Sequence, residues 1–487
     1  MTHATHPRRT RGATALAAVL LAGAGLPADA AKFTDLYDFG VTDSQQNPGG
    51  YLTLGRNGNF YGEEGASGTT VVIFEMTQQG KETLLWTGLG YPAQQICNTG
   101  LTLGADGLLY GTCSMWNSNS DAAGAIFQFN PRKPTGGLKV LYVFPLVNPQ
   151  GSTANPSHLT LGTDGNLYGT AWSGYSGDAN YNGSVFRITP KGQFTTLYTF
   201  QGGLDDGAGP NGLTLASDGN FYGVTRYGGV TQPGGPSTQG MVYRITPAGA
   251  ETILATFTSG TDGENPVAPL TQGNDGNFYG STNSGGADNE GTLFRMTAAG
   301  QITYLHDFSQ IADGGDHPTF QLTQGSDGNL YAPTNGCASN GCGTANLFRL
   351  TLKGDYTTQY VFPPPCTNCE AIPSSPLFQA PGGGFFGLTQ FGGPSNVDSG
   401  TFYRLTVGAP QLVALQSPIG APGYSLGILG RGFKGATAVA FNGVPASYTV
   451  VSDTYLTATV PAGATAGFVS VTEPAATLQS AIVFTPQ

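Results

Sequence analysis

The sequence predicts an all-β protein whose main part is a seven-bladed β-propeller closed by an N-terminal strand and followed by a small β-sandwich. Three observations predict it. One β-hairpin recurs seven times along the chain. Only 10% of the residues are charged, whereas 76 of the 487 are glycine, as expected for short strands joined by many turns. A strand near the N-terminus also matches the strand that the last repeat lacks.

The first 30 residues have the three parts of a secretory signal peptide. Arg8, Arg9 and Arg11 precede the apolar run "ATALAAVLLAGAGL", and "ADA" at residues 28–30 is a small-x-small cleavage site. The apolar run of about 14 residues is shorter than the roughly 20 that a spanning helix needs. We therefore expect cleavage near Ala30, a secreted (extracellular or periplasmic) protein and no transmembrane segment.

The hairpin turns follow one another at a regular period. Their glycines lie 49, 58, 54, 57, 52 and 55 residues apart, at Gly58, Gly107, Gly165, Gly219, Gly276, Gly328 and Gly383. Self-similarity at this period is typical of solenoids, propellers and arrays of small domains. Because each unit reads as four short antiparallel strands, the pattern favours propeller blades.

The third repeat shows the content of one blade. "HLTLG" alternates apolar and polar residues, Asp164-Gly165 is predicted to be a two-residue hairpin turn, and "NLYGTAW" returns antiparallel to the first strand. "SVFRITP" and "QFTTLYTF" supply the third and fourth strands around a "KG" turn. The short turns of all blades should therefore lie on one rim and the long loops on the opposite rim.

The two ends of the repeat array predict how the ring closes. "KFTDLYDF" at residues 32–39 matches a fourth strand but precedes the first hairpin, and the seventh repeat has no fourth strand of its own. Pairing of residues 32–39 with residues 400–406 would complete the seventh blade and leave no open edge. The propeller then spans residues 31–408.

Residues 409–487 depart from the repeat. Short alternating strands separated by Gly, Pro and Asn turns, such as "AVAFNGVPASYTVV", predict a small β-sandwich.

Two family resemblances accompany these patterns. The repeat "LTxGxDGNLYG…GxxFRIT", over about residues 33–407, resembles the GloVer tandem repeat of bacterial extracellular proteins. "PGYSLGILGRGFKGATAVAFNG" and the following "VVSDTYLTATVP" look like an IPT/TIG domain, an Ig-like module. The first resemblance implies secretion and a propeller, and the second implies an Ig-like sandwich used for interaction or spacing. Neither supplies a catalytic residue.

Charge and cysteine content limit the partners. Removal of three arginines and Asp29 with the signal peptide takes the net charge from −11 to −13, and no basic cluster remains to bind phosphates. Nucleic acid is therefore excluded as an expected partner. We predict that six cysteines in an oxidising compartment form disulfides, and zinc held by four of them is the alternative. They are Cys97, Cys113, Cys337, Cys342, Cys366 and Cys369. Cys97 and Cys113 should bridge one hairpin, whereas the pairing of the other four stays open.

A residue present in nearly every blade serves the scaffold, whereas a single site should use departures from the repeat. The recurring third-strand arginines and hairpin aspartates therefore belong to the structure. The arginines are Arg187, Arg244, Arg295, Arg349 and Arg404, and the aspartates are Asp106, Asp164, Asp218, Asp275 and Asp327.

Aromatic residues near the long loops are the candidate ligand platform. They follow the paired "YG" or "FG" by four to six residues and are Trp116, Trp172, Tyr227 and Phe391. Flat aromatic faces stack on sugar rings, but they also bury area between blades. Both interpretations remain open.

The catalytic residues are unknown, and the weak candidates are His317, Arg226, Asp205 and Asp206. A carboxylate pair could act on a glycosidic bond, and His317 with Arg226 could serve a lyase as base and neutralising group. The loop acids could alternatively cap turns or hold calcium, and they include Asp43, Asp262, Asp313 and Asp316. No other metal or cofactor is expected.

We therefore predict a secreted or cell-surface binding or adhesion protein, a monomer, that recognises polysaccharide or another cell-surface component on the long-loop rim. One alternative is a polysaccharide lyase or glycoside hydrolase with its site at the rim or channel. The other is a structural spacer of a surface assembly.

Overall fold

The structure is a computed structural model that describes Ala31–Gln487 with gaps. The gaps are residues 40–47, 67–69, 90–94, 98, 116–121, 146–154, 173–181, 204, 229–238, 259–262, 310–312, 314, 316, 326, 336, 339–340, 343–344, 363–371, 381–382, 391–398, 408–413, 418, 431–432, 453–454 and 474–476. The predicted signal peptide lies outside the described residues. In the part of the chain that is described, no helix has the length and hydropathy of a membrane span.

The described residues are almost entirely strands, turns and loops, with 3-10 turns at Pro134–Gly136 and Phe433–Gly435. The repeats form seven antiparallel sheets, six with four strands and the second with five. The first sheet contains β2 (Pro48–Leu54), β3 (Phe60–Ala66), β4 (Thr70–Met76) and β5 (Glu82–Leu89). The second contains β6 (Gln95–Ile96), β7 (Thr102–Leu103), β8 (Leu109–Met115), β9 (Ala122–Phe129) and β10 (Lys139–Pro145). The third contains β11 (Thr160–Leu161), β12 (Leu167–Ala171), β13 (Ser184–Ile188) and β14 (Phe194–Thr199).

The remaining four sheets follow the same order. The fourth contains β15 (Gly207–Leu215), β16 (Phe221–Gly228), β17 (Met241–Ile245) and β18 (Glu251–Thr256). The fifth contains β19 (Thr271–Gln272), β20 (Phe278–Thr282), β21 (Thr292–Met296) and β22 (Ile302–Asp307). The sixth and seventh contain β23 (Thr323–Gln324), β24 (Leu330–Pro333), β27 (Asn346–Leu350) and β28 (Tyr356–Val361); and β29 (Phe378–Gln379), β30 (Gly384–Thr389), β31 (Thr401–Thr406) and β1 (Lys32–Asp38). A two-stranded hairpin of β25 (Cys337–Ala338) and β26 (Gly341–Cys342) extends from the sixth.

In each sheet, the hairpin that precedes the repeated "YG" or "FG" strand has a glycine with positive φ. The seven glycines predicted from the repeat have φ between 75° and 85°. In the third sheet, the Gly162 amide donates to the Asn166 carbonyl at 2.8 Å, so the loop contains three residues, Thr163, Asp164 and Gly165. The predicted two-residue Asp164-Gly165 turn is therefore wrong by one residue. A three-residue loop with glycine in the left-handed region is the other common hairpin connection.

The repeated aspartates hold these turns, as predicted. Asp164 Oδ1 accepts from the Asn166 amide at 3.0 Å, and Asp164 Oδ2 accepts from the Tyr168 hydroxyl at 2.8 Å. The same two bonds recur at Asp106, Asp218, Asp275 and Asp327. Four of the repeated arginines lie directly across the strand pair from such a tyrosine, as in the Tyr168–Arg187 pair, and Arg404 lies across from Phe386.

The glycine of the repeated "YG" packs against an aromatic ring of the next strand. A side chain at Gly169 would collide with the ring of Phe186, and Gly280 has the same relation to Phe294. Because interiors are close-packed, this glycine allows two neighbouring strands to enclose a large ring between them.

Successive sheets are joined by a recurring hydrogen bond. A threonine hydroxyl near the first hairpin of one sheet donates to a leucine carbonyl of the next sheet. The donors are Thr53, Thr102, Thr160, Thr214, Thr271 and Thr323, and the acceptors are Leu101, Leu159, Leu213, Leu270, Leu322 and Leu377. The seventh sheet bonds the first, because Gly50 donates to the Ser374 carbonyl at 3.1 Å. The seven sheets thus contact one another in cyclic order, an arrangement called the ring below.

The N-terminal strand completes the seventh sheet. β1 pairs antiparallel with β31, from Lys32 opposite Thr406 to Asp38 opposite Thr401. Phe33 also stacks on Tyr360 of the sixth sheet, with ring centroids 3.9 Å apart. The predicted pairing of residues 32–39 with residues 400–406 is confirmed, so both ends of the repeat array meet in one sheet.

The C-terminal residues form two further sheets on one hydrophobic core. One contains β32 (Ala414–Leu415), β34 (Ser425–Leu429), β37 (Tyr448–Ser452) and β38 (Tyr455–Thr459). The other contains β33 (Ile419–Gly420), β35 (Ala438–Phe441), β36 (Val444–Ala446), β39 (Gly467–Thr472) and β40 (Thr477–Pro486). Ile428 and Leu456 from the first sheet and Phe441 and Phe484 from the second share the core.

The C-terminal sheets lie against the side of the ring that carries the short hairpin turns, which we call the turn face. Tyr455 packs in one apolar cluster with Phe60 of the first sheet, and the Arg56 guanidinium lies over its ring at 5.7 Å. The last residue, Gln487, lies beside the turn glycine Gly219 of the fourth sheet. The opposite side of the ring, where the second strands end, is called the mouth face.

Candidate functional site

Three adjoining cavities run through the ring. The first, of about 280 Å³, lies at the mouth face and is lined by residues of the second, third, fourth and fifth repeats. The second, of about 240 Å³, is lined by residues from all seven sheets and shares Thr99, Ser157 and Asn211 with the first. The third, of about 400 Å³, shares Tyr51 and His158 with the second and reaches Gln416 and Tyr424 of the C-terminal sheets. The C-terminal sheets therefore cover the ring's central space on the turn face.

Two of the predicted site residues line the mouth cavity together. Trp172 follows β12 and Arg226 lies in β16, each four residues after the repeated tyrosine, Tyr168 or Tyr222. They are therefore equivalent residues of neighbouring repeats. In the other repeats this position holds Gly65, Ser114, Asn283, Asn335 and Gln390. The third and fourth repeats are therefore the neighbouring pair that has a large aromatic ring in one repeat and a guanidinium in the next at this position.

Backbone contacts hold Trp172 in place. Its amide donates to the Asn155 carbonyl at 3.2 Å, and the equivalent Asn283 amide donates to the Asn265 carbonyl at 3.0 Å. The indole lies over Gly209 of the fourth sheet, whose φ is 66° and where a side chain would collide with the indole nitrogen. A glycine suits both the left-handed backbone and the close approach of the ring.

Arg226 is positioned by its neighbour on the strand. The guanidinium lies over the ring of Tyr227, 5.5 Å from its centroid, within the range of a cation–π interaction. Tyr227, another predicted site residue, thus supports Arg226. Pro156, Pro210 and Val267 supply apolar wall, and the Asn211 side-chain amide donates to the Val267 carbonyl. Among the described lining residues, Arg226 is the one charged side chain.

The central cavity contains a stacked pair. The rings of Tyr51 and His158 lie 4.1 Å apart, and His158 Nε2 is 3.1 Å from the Thr102 hydroxyl. Burial lowers the pKa of His158 to about 4, because the charged imidazolium loses its water. The imidazole is therefore neutral at neutral pH and forms part of the wall.

Glu63 is a buried residue that the sequence analysis did not select. It replaces the small or apolar residue found in the other repeats, such as Thr170, and has no exposed surface. Its Oε2 accepts from the Gly100 amide at 2.9 Å, and its Oε1 has no hydrogen-bond partner among the described residues. Burial raises the pKa of Glu63 to about 8. Its departure from the repeat in the second strand was the signal that could have identified it.

The predicted acidic candidates lie in loop contacts. Asp206 is buried, accepts from the Gln201 amide at 2.6 Å and the Gly207 amide at 2.8 Å, and bonds the Tyr198 hydroxyl. Asp205 beside it is exposed. Asp313 makes similar contacts with the Ser309 amide and His306. These geometries fit the interpretation of the loop acids as caps of turns.

His317 occupies a turn position at the start of the sixth sheet. Its φ is 51°, and the equivalent Asn155 and Asn265 also have positive φ. Its Nδ1 lies 3.0 Å from Glu290 Oε2. Arg226, its predicted partner, lines the mouth cavity, whose described lining does not include His317.

The remaining predicted residues divide by what the structure describes. Cys97 and Cys113 form the predicted disulfide. Cys337 and Cys342 are register partners in the β25–β26 hairpin. Trp116, Phe391, Cys366, Cys369, Asp43, Asp262 and Asp316 lie outside the described residues. Across the described part of the chain, no three His, Cys, Asp or Glu side chains group as metal ligands.

These features define an all-β tandem-repeat protein with a cavity at one face of a cyclic array of sheets. The sequence profile of the Gloeobacter/Verrucomicrobia repeat matches residues 99–235 and 228–424, more than half of the chain. The protein therefore belongs to the Gloeobacter/Verrucomicrobia repeat family, which confirms the predicted repeat resemblance.

A search of curated proteins finds no match. Among solved structures, a luciferin-regenerating enzyme is similar over 77% of this chain and 95% of its own, with 11% sequence identity and a TM-score of 0.38.

Proposed function

We propose that the seven sheets are the blades of a β-propeller and that the C-terminal sheets form an Ig-like sandwich of the IPT/TIG type. The cyclic hydrogen bonds and the pairing of β1 with β31 support the first part. The common core of the two C-terminal sheets supports the second part. A crystal structure with another number of blades would contradict this architecture.

We infer that the protein is exported and acts outside the cytoplasm. The N-terminal arginines, the short apolar run and "ADA" at residues 28–30 support export, as does the Cys97–Cys113 disulfide. N-terminal sequencing of the protein from the periplasm or medium should begin at about Ala31. A cytoplasmic protein that retains Met1 would contradict this inference.

We propose that the protein binds polysaccharide at the mouth cavity. The single observation that carries this proposal is the meeting of Trp172 and Arg226, at equivalent repeat positions, in a cavity of about 280 Å³. A half-buried indole beside a polar group is a typical arrangement for a sugar ring, because the ring offers an apolar face and hydroxyl edges. The repeated aspartates are excluded as the site, since they hold the hairpins of five sheets.

Glycan arrays and pull-down on insoluble polysaccharides test this proposal with three proteins: wild type, Trp172→Ala and Asn283→Ala. Asn283 is the matched control, because it occupies the equivalent position in the fifth sheet, outside the described lining of the cavity. We expect Trp172→Ala to weaken glycan binding at least about tenfold, and Asn283→Ala to bind as wild type does.

The same experiment separates the other function classes. Release of oligosaccharides from a bound polysaccharide would establish an enzyme instead of a binding protein. Absence of binding to every glycan would leave a structural spacer as the better interpretation. Equal losses in Trp172→Ala and Asn283→Ala would place the binding site elsewhere on the mouth face.

A further inference from the structure

The walls of the mouth cavity combine a neutral, mostly apolar surface with one positive charge. Trp172, Pro156, Pro210 and Val267 form the apolar part, and Arg226 contributes the one charge among the described lining residues. The whole chain is acidic, with a net charge of −11. The molecule as a whole therefore repels anions, and among the described lining residues the guanidinium is the group that favours an anionic ligand here.

The guanidinium suits a carboxylate better than a hydroxyl. Arginine stays charged at all physiological pH values and presents a planar set of donors that matches both oxygens of a carboxylate. The guanidinium lies over the ring of Tyr227, 5.5 Å from its centroid, and its N–H donors point outward in the plane of the group. A partly buried charge is also less screened by salt than a surface charge.

The size of the cavity limits the ligand to a small unit. Its volume of about 280 Å³ lies at the lower end of the range of about 300–1,000 Å³ for small-molecule sites. Trp172 and Arg226 come from adjacent sheets and line the same space. One ligand unit can therefore stack on the indole and reach the guanidinium with an attached group.

We propose that the mouth cavity selects an acidic sugar unit, with its ring on the Trp172 indole and its carboxylate on the Arg226 guanidinium. This inference rests on the proposed polysaccharide binding and names its ligand class. It gives separate roles to the two residues: Trp172 supplies affinity for any sugar ring, and Arg226 supplies the preference for a carboxylate.

The test compares each charged probe with its neutral form. The probes are oligomers of galacturonate, mannuronate, guluronate and a glucuronate-containing glycan, each as the free acid and as the methyl ester, measured by isothermal titration calorimetry on the full mature chain. We expect at least one free acid to bind roughly 10- to 100-fold more tightly than its ester. Its affinity should also fall as sodium chloride rises, whereas that of the ester should not.

Variants then assign the preference to Arg226. Arg226→Gln should reduce acid binding to the level of the ester without changing ester binding, and Arg226→Lys should retain part of the preference. Arg295→Gln, at a repeated arginine of the fifth sheet, is the control for loss of one positive charge. Circular dichroism melting confirms that each variant is folded.

The outcomes distinguish the two levels of the proposal. Binding of neutral glycans or esters at least as tight as binding of every free acid overturns the acidic-sugar inference and leaves polysaccharide binding intact. A preference that survives Arg226→Gln also overturns it, because another group must then supply the charge. If no probe and no glycan of the array binds, both the proposed function and this inference fail.

Discussion

The turn face and the mouth face are built from opposite ends of the same strands, but they differ in how closely the residues follow the repeat. On the turn face, the glycine recurs in all seven hairpins and the aspartate–tyrosine bond recurs in five. On the mouth face, equivalent positions hold Trp172, Arg226 and Asn283. The repeated face receives the C-terminal sheets, whereas the varied face carries the cavity.

The difference has a physical reason. A three-residue hairpin accepts few residues, because its backbone needs positive φ and a side-chain acceptor for the next amides. The loops at the other end of the strands are longer and carry no such local restriction. Residues there can vary without unfolding the sheet, so one pair of neighbouring repeats can hold a site.

Loss of the closing strand should produce the largest effect, because both faces depend on the ring. Deletion of residues 31–39 removes β1 and exposes the edge of β31. We expect aggregation, rapid proteolysis and loss of glycan binding, measured by size-exclusion chromatography and trypsin digestion. Lys32→Ala, an exposed change in β1, is the control and should behave as wild type. A deletion variant that remains monomeric and equally stable would contradict the closure.

Removal of Tyr455 should weaken the turn face alone. Its side chain is 2% exposed and packs with Phe60 and under Arg56. Tyr455→Ala should cost about 3–5 kcal/mol, as other buried aromatic truncations do, and should make the C-terminal sheets more sensitive to protease. Tyr448→Ala, which lies in the same C-terminal sheets away from this contact, is the comparison for general destabilisation. If both variants are cleaved alike, Tyr455 has no special part in docking.

Titration of Glu63 should make stability fall as the pH rises from about 4.5 to about 8. Its pKa is about 8 in the folded protein against 4.5 for the ordinary carboxyl, so the contribution of Glu63 is fully present below pH 4.5 and is lost as the pH rises through 8. Each pKa unit corresponds to about 1.4 kcal/mol. Thermal melting of Glu63→Gln from pH 4 to 9 should show a smaller loss of stability between pH 4.5 and 8 than wild type.

His158 provides the internal comparison for that titration. Its lowered pKa of about 4, against 6.5 when unfolded, makes its contribution present above pH 6.5 and lost as the pH falls toward 4. Between pH 4.5 and 6.5 the contributions of Glu63 and His158 change in opposite directions, so Glu63→Gln should show a steeper acid decline than wild type. Parallel wild-type and Glu63→Gln melting curves at all pH values would show that Glu63 does not titrate as inferred.

The smallest expected effect lies between the two faces. The hydroxyls of Tyr243 and Tyr403 are buried and have no hydrogen-bond partner in the described residues, at a position where the other five sheets have phenylalanine. Tyr243→Phe should therefore stabilise the protein by about 1 kcal/mol. Tyr168→Phe, which loses the bond to Asp164, should destabilise it by a similar amount. Urea unfolding measures both, and destabilisation by Tyr243→Phe would indicate a partner for its hydroxyl.

The sequence by itself determined the features that each repeat repeats. These features are local requirements: a glycine at the hairpin, usually an aspartate before it, and four alternating strands. Because the repeat occurs seven times, they can be recognised from the sequence. The closing role of residues 32–39 also followed from the sequence, because a missing strand and a spare strand have to match. The hairpin loop was predicted one residue too short, since Asp-Gly is common to the two-residue and three-residue forms.

Only the tertiary structure decided which departures from the repeat come together. Trp172 and Arg226 are 54 positions apart, yet they line one cavity because equivalent strand ends of adjacent sheets adjoin. Packing between sheets also decides the threonine-to-leucine bonds and the burial of Glu63. It likewise decides the placement of the C-terminal sheets over the turn face. Hairpin preferences act over a few residues, whereas a site between repeats depends on how the sheets pack against one another around the ring.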